Sequence, residues 1–168
     1  ASLYQQGGHF YQAALALLQL KDERRALESA VQVPRIDKHY RLACILAVRI
    51  AVHLDTIPFA LEHLLTRFVS EGPQNPDEAQ IFYRLAAFYE AHDFNQNEIE
   101  AYQKLVQRAP NFRDAADRLA RAWDLAGLNR SYRSFLRTYA GEPESDRKTP
   151  EGQHGPQPAK AFARRFQL

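Results

Sequence analysis

The chain has 168 residues, of which 45% are hydrophobic and 25% are charged, and its formal net charge is +2. This length is enough for one domain with a substantial core, and the composition is ordinary for a globular protein. No run approaches the roughly 18 apolar residues of a membrane span, and one cysteine, Cys44, cannot form an intramolecular disulfide. We therefore expect a cytoplasmic protein without a membrane segment. The start at Ala1 suggests a fragment.

The charge distribution argues against nucleic-acid binding. Residues 1–110 carry 11 basic and 13 acidic groups, and residues 111–140 carry six arginines against three aspartates. Proteins that neutralise phosphates usually show a much denser face of lysine and arginine. We therefore expect a protein or peptide partner, and neither nucleic acid nor a membrane.

The N-terminal part of the chain shows helical periodicity. Leu3-Tyr4 before Gly7-Gly8 is typical of a helix that ends at the glycines. A second helix continues to Leu20, and a third begins at Asp22-Glu23 and ends before Pro34, because acidic residues favour a helix start and proline favours a helix end. The apolar stripes of these helices are rich in alanine, which allows two helices to approach closely.

Residues 37–54 predict the most apolar helix of the chain. A helix that is apolar on most sides is buried on most sides, so this helix should lie at the centre of the fold. Ile57-Pro58 begins the next helix, since proline is tolerated in a first helical turn. The longest internal loop is expected at residues 71–76.

Residues 77–110 predict an antiparallel helical hairpin. Asp77-Glu78 places two carboxylates in a first helical turn, and residues 92–95 interrupt the apolar stripe before Pro110 ends it. A hairpin of about 34 residues cannot bury its stripe alone, so it requires neighbours of the same kind. The stripe consists of Phe82, Leu85, Ala86 and Tyr89, followed by Ile99, Tyr102, Leu105 and Val106.

The hairpin carries a pattern of small and large residues at Leu85-Ala86, Tyr89, Asp93-Phe94, Ala101-Tyr102 and Pro110-Asn111. This pattern resembles a tetratricopeptide repeat (TPR), a helical hairpin that stacks into right-handed superhelices. The next unit shows Leu119-Ala120, Trp123 and Gly127, and a fainter unit shows Leu46-Ala47, Ile50, Asp55 and Ala60. The Leu-Ala pairs lie 39 and 34 residues apart. We expect Leu46, Leu85 and Leu119 to be buried at equivalent places.

The resemblance implies an all-α fold, namely a right-handed α-hairpin solenoid of about eight to nine helices over residues 1–140. Residues 141–158 have the composition of a flexible linker. Residues 159–168 predict a short amphipathic tail with three apolar anchors: Phe162, Phe166 and Leu168. We expect the tail either to dock in an apolar groove of the same molecule or of a neighbour, which would allow self-association, or to be a mobile end.

The sequence contains no residue pattern that is typical of catalysis or metal binding. The six histidines lack the spacing of a zinc site, and Cys44 lies in the most apolar helix, where a catalytic thiolate is not expected. The paired carboxylates at Asp22-Glu23, Asp77-Glu78 and Glu98-x-Glu100 all lie near helix starts, where they compensate the helix dipole. We therefore expect no catalytic, cofactor or metal site.

In a TPR stack the first helix of each hairpin lines the concave surface, and the resemblance assigns this role to residues of three hairpins. The lysine and asparagine set with which some family members clamp a C-terminal carboxylate is absent. The groove residues of the central hairpin are Gln80, Tyr83, Arg84, Ala87 and Glu90; those of the next are Asp114, Asp117, Arg118, Arg121 and Asp124; those of the preceding one are Arg41, Cys44, Ile45, Val48 and Val52.

These observations favour a non-catalytic scaffold that binds a peptide or protein segment in its concave groove. The alternative is a regulatory module adjoining a bacterial serine/threonine protein kinase domain, because residues 163–168 resemble the lead-in to the first strand of such kinases. A third hypothesis, an all-helical enzyme, is disfavoured because no nucleophile, base or metal set converges.

Overall fold

The computed structural model describes residues 3–127, 135 and 137–139, with side chains from residue 8 onward. Residues 3–127 form seven α-helices and no strand, which confirms the predicted all-α class. The linker over residues 141–158 and the tail with Phe162, Phe166 and Leu168 lie outside the described residues. The helices are α1 (Leu3–Gln19), α2 (Glu23–Ala30), α3 (Tyr40–Leu54), α4 (Phe59–Glu71), α5 (Pro76–Ala91), α6 (Asn95–Arg108) and α7 (Ala115–Leu125).

The chain divides into two compact units, at residues 1–71 and from residue 72 onward. The first unit contains α1 to α4, and the second contains α5 to α7. Among the described helices, none combines the length and the apolar character that crossing a membrane requires.

Several helix boundaries differ from the sequence prediction, and two of the differences have a clear physical reason. The helix α1 runs through Gly7-Gly8 to Gln19, so the expected stop at the glycines is wrong. Glycine in a helix costs about 1 kcal/mol relative to alanine, which lowers helix stability without forbidding the helix. Residues 37–39 lie outside α3, because the Asp37 side chain accepts a hydrogen bond from the His39 N–H at 2.7 Å and forms a local turn in front of the helix.

The first unit packs its helices through small side chains, as the alanine-rich stripes predict. Six alanines of α1, α2 and α3 are fully buried. The Ser29 hydroxyl donates to the Phe10 carbonyl at 2.9 Å and joins α2 to α1. The Tyr40 hydroxyl accepts from the Phe68 N–H at 3.0 Å and joins α3 to α4. The buried alanines are Ala14, Ala26, Ala30, Ala43, Ala47 and Ala51.

The second unit has a core of larger side chains from all three of its helices. Leu85 and Leu119 are buried, as predicted, whereas Leu46 in the first unit is only half-buried. The expectation of three equivalent buried leucines is therefore wrong at Leu46, where Ala47 and Val48 occupy the core instead. The buried set comprises Phe82, Leu85 and Ala86 of α5, Tyr102, Leu105 and Val106 of α6, and Leu119 of α7.

Four of the six residues with a positive φ in the described part of the chain, all except Gly72 and Arg113, recur at similar intervals. Lys21, Asp55, Asp93 and Gly127 have φ values of 60, 52, 60 and 70° and follow α1, α3, α5 and α7. They lie 34, 38 and 34 residues apart. After each of Lys21, Asp55 and Asp93, the N–H of the following residue donates to the carbonyl five residues before it, at 2.9 to 3.1 Å. This hydrogen bond is characteristic of the Schellman motif, which ends a helix. Successive helix pairs thus share one turn geometry.

The first of these turns provides a stability test. Lys21 has a left-handed backbone, which costs an L-residue roughly 1–2 kcal/mol and costs glycine nothing. Part of this gain is offset by the greater entropy of glycine in the unfolded chain. We expect Lys21→Gly to raise the free energy of unfolding by up to about 1 kcal/mol in urea denaturation.

The matched control for this test is Lys38→Gly, at an exposed lysine that does not have a positive φ. There the glycine brings only its entropic cost, so the substitution should destabilise the protein. A loss of stability in both variants would contradict the strain assigned to Lys21.

Candidate functional site

The second unit brings together polar side chains from α5, α6 and the start of α7. The Tyr83 hydroxyl of α5 donates to Asp114 Oδ1 at 2.6 Å, and Asp114 directly precedes α7. Four residues after Asp114, about one helical turn, Arg118 Nη1 donates to Glu90 Oε2 of α5 at 2.9 Å. The contacts therefore advance in the same direction along both helices, so α5 and α7 run in the same general direction and are joined by long side chains.

Arg118 is the centre of this arrangement. Its Nε donates to Asp114 Oδ2 at 3.0 Å, in addition to the bond from Nη1 to Glu90. The Tyr102 hydroxyl of α6 donates to Glu90 Oε2 at 3.2 Å, and Arg118 Nη1 lies 3.4 Å from that hydroxyl oxygen. One guanidinium thus compensates two carboxylates from different parts of the chain. We call Tyr83, Glu90, Tyr102, Asp114 and Arg118 the Arg118 cluster.

The hydrogen bonds of the Arg118 cluster fix its protonation states. The bond from Tyr83 and then the bonds from Arg118 lower the pKa of Asp114, and the same contact with Asp114 raises the pKa of Tyr83. Burial raises the pKa of Tyr102, and the hydrogen bond to Asp114 raises that of Arg118. The cluster therefore holds a charged arginine and a charged Asp114 with neutral tyrosines at physiological pH.

Aromatic contacts surround the Tyr83 ring. Phe112 lies with its ring centroid 5.9 Å from that of Tyr83, and the guanidinium carbon of Arg113 lies 5.0 Å from the Tyr83 centroid. The Arg118 guanidinium carbon lies 5.4 Å from the same centroid. Cations above an aromatic face are stabilised by the ring quadrupole. These contacts restrict the Tyr83 side chain, which is half-buried.

Glu98 is a buried carboxylic acid next to the Arg118 cluster. It lies in the first turn of α6 and is 5% exposed. Burial, followed by the negative charge of Glu90, raises the pKa of Glu98 to about 7, although Arg118 and Arg121 oppose the shift. The sequence prediction assigned this residue to helix-dipole compensation. Its spacing from Ala101 and Tyr102 on the apolar stripe was the signal that it faces the interior.

The predicted partner-binding residues of α5 and α7 lie on one face of the second unit. Successive residues of an α-helix are rotated by 100° about its axis. On α5, Ala87, Gln80 and Arg84 lie progressively further round the helix from the contact side at Tyr83 and Glu90. On α7, Arg121 and Asp117 lie progressively further round the helix from Arg118. Because both helices run in the same general direction and their side chains meet on those contact sides, the two rotations turn toward the same side of the unit. We call this surface, made by Gln80, Tyr83, Arg84, Ala87, Glu90, Asp114, Asp117, Arg118 and Arg121, the α5–α7 face.

Exposure within the α5–α7 face is uneven. Gln80, Arg84, Asp117 and Arg121 are exposed, whereas the members of the Arg118 cluster are half-buried or buried. Arg84 and Arg121 form no ion pair within the part of the chain that the structure describes. Asp117 likewise forms no ion pair within the described residues, so the face combines an ordered centre with two unpaired cations and one unpaired anion.

The predicted site residues of the first unit have different roles. Val48 is 0% exposed and belongs to the core, together with the buried Cys44, so the expectation that Val48 is available to a partner is wrong. Arg41 Nη1 donates to Glu71 Oε2 at 2.6 Å, and its guanidinium carbon lies 4.8 Å from the Phe68 ring centroid. Glu71 also accepts from Arg67 Nε. The charge of Arg41 is thus compensated within the first unit.

A cleft in the first unit was not predicted from the sequence. It has a volume of about 310 Å³ and lies between α2 and the turn from α3 to α4. Its lining is mainly apolar, with two oppositely charged side chains one helical turn apart on α2. The lining residues are Arg24, Leu27, Glu28, Val31, Leu54, Thr56, Pro58 and Ala60.

Among the described residues, no group of three or more His, Cys, Asp or Glu side chains is arranged to hold a metal ion. Comparison of the chain with protein-family models, with curated proteins and with solved structures finds no match. What the site does must therefore be inferred from its residues.

Proposed function

We propose that this protein is a non-catalytic helical-repeat scaffold that binds a peptide or protein segment on the α5–α7 face. The observation that carries the proposal is the Arg118 cluster, which joins α5, α6 and the start of α7 through charge-assisted hydrogen bonds. A surface held in one arrangement before binding loses less entropy when a partner arrives. The recurring turn geometry at intervals of 34 and 38 residues supports a TPR-like array of hairpins.

The charges of the face indicate what kind of segment it binds. The Arg118 guanidinium is already bonded to Glu90 and Asp114, so it has little capacity for a new carboxylate. Arg84 and Arg121 are exposed and lack ion pairs within the described residues. They are available for charge pairs with a partner, which increase association rate and specificity. The scaffold therefore fits a segment that carries carboxylates.

Charge reversal of these two arginines tests the proposal. Fluorescence anisotropy with a labelled hexaglutamate peptide measures binding of a carboxylate-bearing segment to the full chain. We expect Arg84→Glu/Arg121→Glu to weaken binding by about tenfold or more, because two attractive contacts become repulsive. Circular dichroism should show unchanged helix content, since both side chains are exposed.

The control variant is Lys38→Glu/Arg49→Glu, which has the same net charge as the double arginine variant and changes two exposed side chains of the first unit. We expect it to bind within about twofold of the wild type, allowing for weak long-range effects of net charge. Equal losses in the two variants would show that binding depends on overall charge alone. An unchanged affinity of Arg84→Glu/Arg121→Glu would remove the α5–α7 face as the site.

A further inference from the structure

Arg113 is a cation beside the α5–α7 face that the sequence pattern did not assign to it. It directly precedes Asp114 in the turn before α7, and its side chain is exposed. Its guanidinium carbon lies 5.0 Å from the ring centroid of Tyr83 and 5.6 Å from that of Phe112. At both distances a cation is attracted to the face of an aromatic ring. Because Tyr83 belongs to the α5–α7 face, these contacts place the Arg113 guanidinium at the edge of that face.

The backbone of Arg113 has an uncommon conformation. Its φ value of 46° lies in the left-handed region, which costs an L-residue free energy and which glycine adopts freely. Such a conformation persists where the surrounding contacts impose it, and it is concentrated at ligand-binding positions. In this conformation the side chain reaches over Tyr83 and Phe112. The guanidinium is therefore ordered before a partner arrives.

The charge of Arg113 is available to a partner. Arg113 forms no ion pair within the described residues, and the neighbouring Asp114 uses both carboxylate oxygens in the Arg118 cluster. Arg84 and Arg121 are unpaired as well, but neither lies over an aromatic ring in that part of the chain. A side chain that is ordered before binding loses less entropy when it forms a charge-assisted hydrogen bond.

We propose that Arg113 is a third carboxylate-binding residue of the α5–α7 face and that it contributes more to affinity than Arg84. This inference rests on the proposed function and adds a specificity-determining residue to the same site. Arg113 meets Tyr83 where α7 begins, whereas Arg121 lies further along α7. The face thus presents cations at separate places, which fits an acidic segment with more than one carboxylate.

Binding of labelled hexaglutamate to single variants of the full chain, measured by fluorescence anisotropy, tests this inference. We expect Arg113→Gln to weaken binding by about three- to tenfold, because an ordered charge-assisted contact is lost. Arg84→Gln removes an exposed charge that no ring orders, so it should weaken binding by less than about threefold. Arg113→Lys keeps the charge without the planar guanidinium and should recover part of the loss.

Two control variants separate the guanidinium from net charge and from the turn. Arg49→Gln changes an exposed arginine of the first unit that also forms no ion pair within the described residues. It should bind within about twofold of the wild type. Arg113→Gly removes the side chain together with the backbone strain, so its binding should fall as far as that of Arg113→Gln.

Several outcomes would overturn the inference while leaving the proposed function intact, provided that Arg84→Glu/Arg121→Glu is impaired. These are wild-type binding by Arg113→Gln, wild-type binding by Arg113→Gly alone, and a loss in Arg84→Gln equal to that in Arg113→Gln. A loss in Arg49→Gln equal to that in Arg113→Gln would also overturn it, since binding would then follow net charge. If Arg84→Glu/Arg121→Glu binds like the wild type, or if the wild type does not bind the probe, the proposed function fails, and the role of Arg113 fails with it.

Discussion

Leu85→Ala is expected to lower the free energy of unfolding by about 2–5 kcal/mol, because a buried leucine loses its transfer energy and leaves a cavity. Leu85 is 1% exposed and lies on α5 among the core side chains of the second unit. Its neighbours on the apolar stripe, Phe82 and Ala86, are fully buried, so the site has little space into which it can relax. Urea denaturation followed by circular dichroism measures the change.

Leu125→Ala provides the control for this prediction. Leu125 ends α7 in the same unit and is 81% exposed. The same chemical change should therefore cost no more than about 0.5 kcal/mol at this position. Similar losses in the two variants would mean that Leu85 does not occupy a packed core.

The helical class was predictable because the core of each unit requires regular apolar spacing. Phe82, Leu85 and Ala86 recur at three- and four-residue intervals, and a stripe of this kind must be buried. The end of α5 was equally clear, since residues 92–95 favour a turn. The start of α3 was not, because the Asp37 side chain forms a local turn inside a stretch that is apolar overall. Side-chain hydrogen bonds of this kind have no periodic signal.

The candidate site was only partly predictable. The resemblance assigned Tyr83, Glu90 and Arg118 to one surface, and the structure brings these side chains together. Their role in partner binding stays a prediction. The sequence could not show that Glu90 compensates the charge of Arg118, because this ion pair joins residues 28 positions apart along the chain. Such pairing is decided by helix packing.

The same limit explains the errors at Leu46 and Val48. Both lie on α3, which is apolar on most sides, so the spacing of its residues does not show which side faces the core. In the structure Val48 is fully buried and Leu46 only half-buried. An amphipathic helix such as α7 does not have this ambiguity, because its polar residues mark the exposed side.

Glu98→Gln is expected to change the pH dependence of stability. Burial raises the pKa of Glu98 from 4.5 to about 7 in the folded protein. Between these pH values Glu98 is protonated in the folded state and ionised in the unfolded state. The contribution of Glu98 to wild-type stability therefore falls as the pH rises from about 4.5 to 7, and it is constant outside this window. A pKa difference of this size corresponds to about 3 kcal/mol.

The glutamine variant lacks this titration. Relative to the wild type, its free energy of unfolding should therefore rise by about 3 kcal/mol between pH 4.5 and pH 8, whatever constant cost the buried amide adds. Urea denaturation at both pH values measures the difference, with Glu100→Gln as the exposed control on the same helix. A difference between Glu98→Gln and wild type that does not vary with pH would show that Glu98 is ionised in the folded protein as readily as in the unfolded chain.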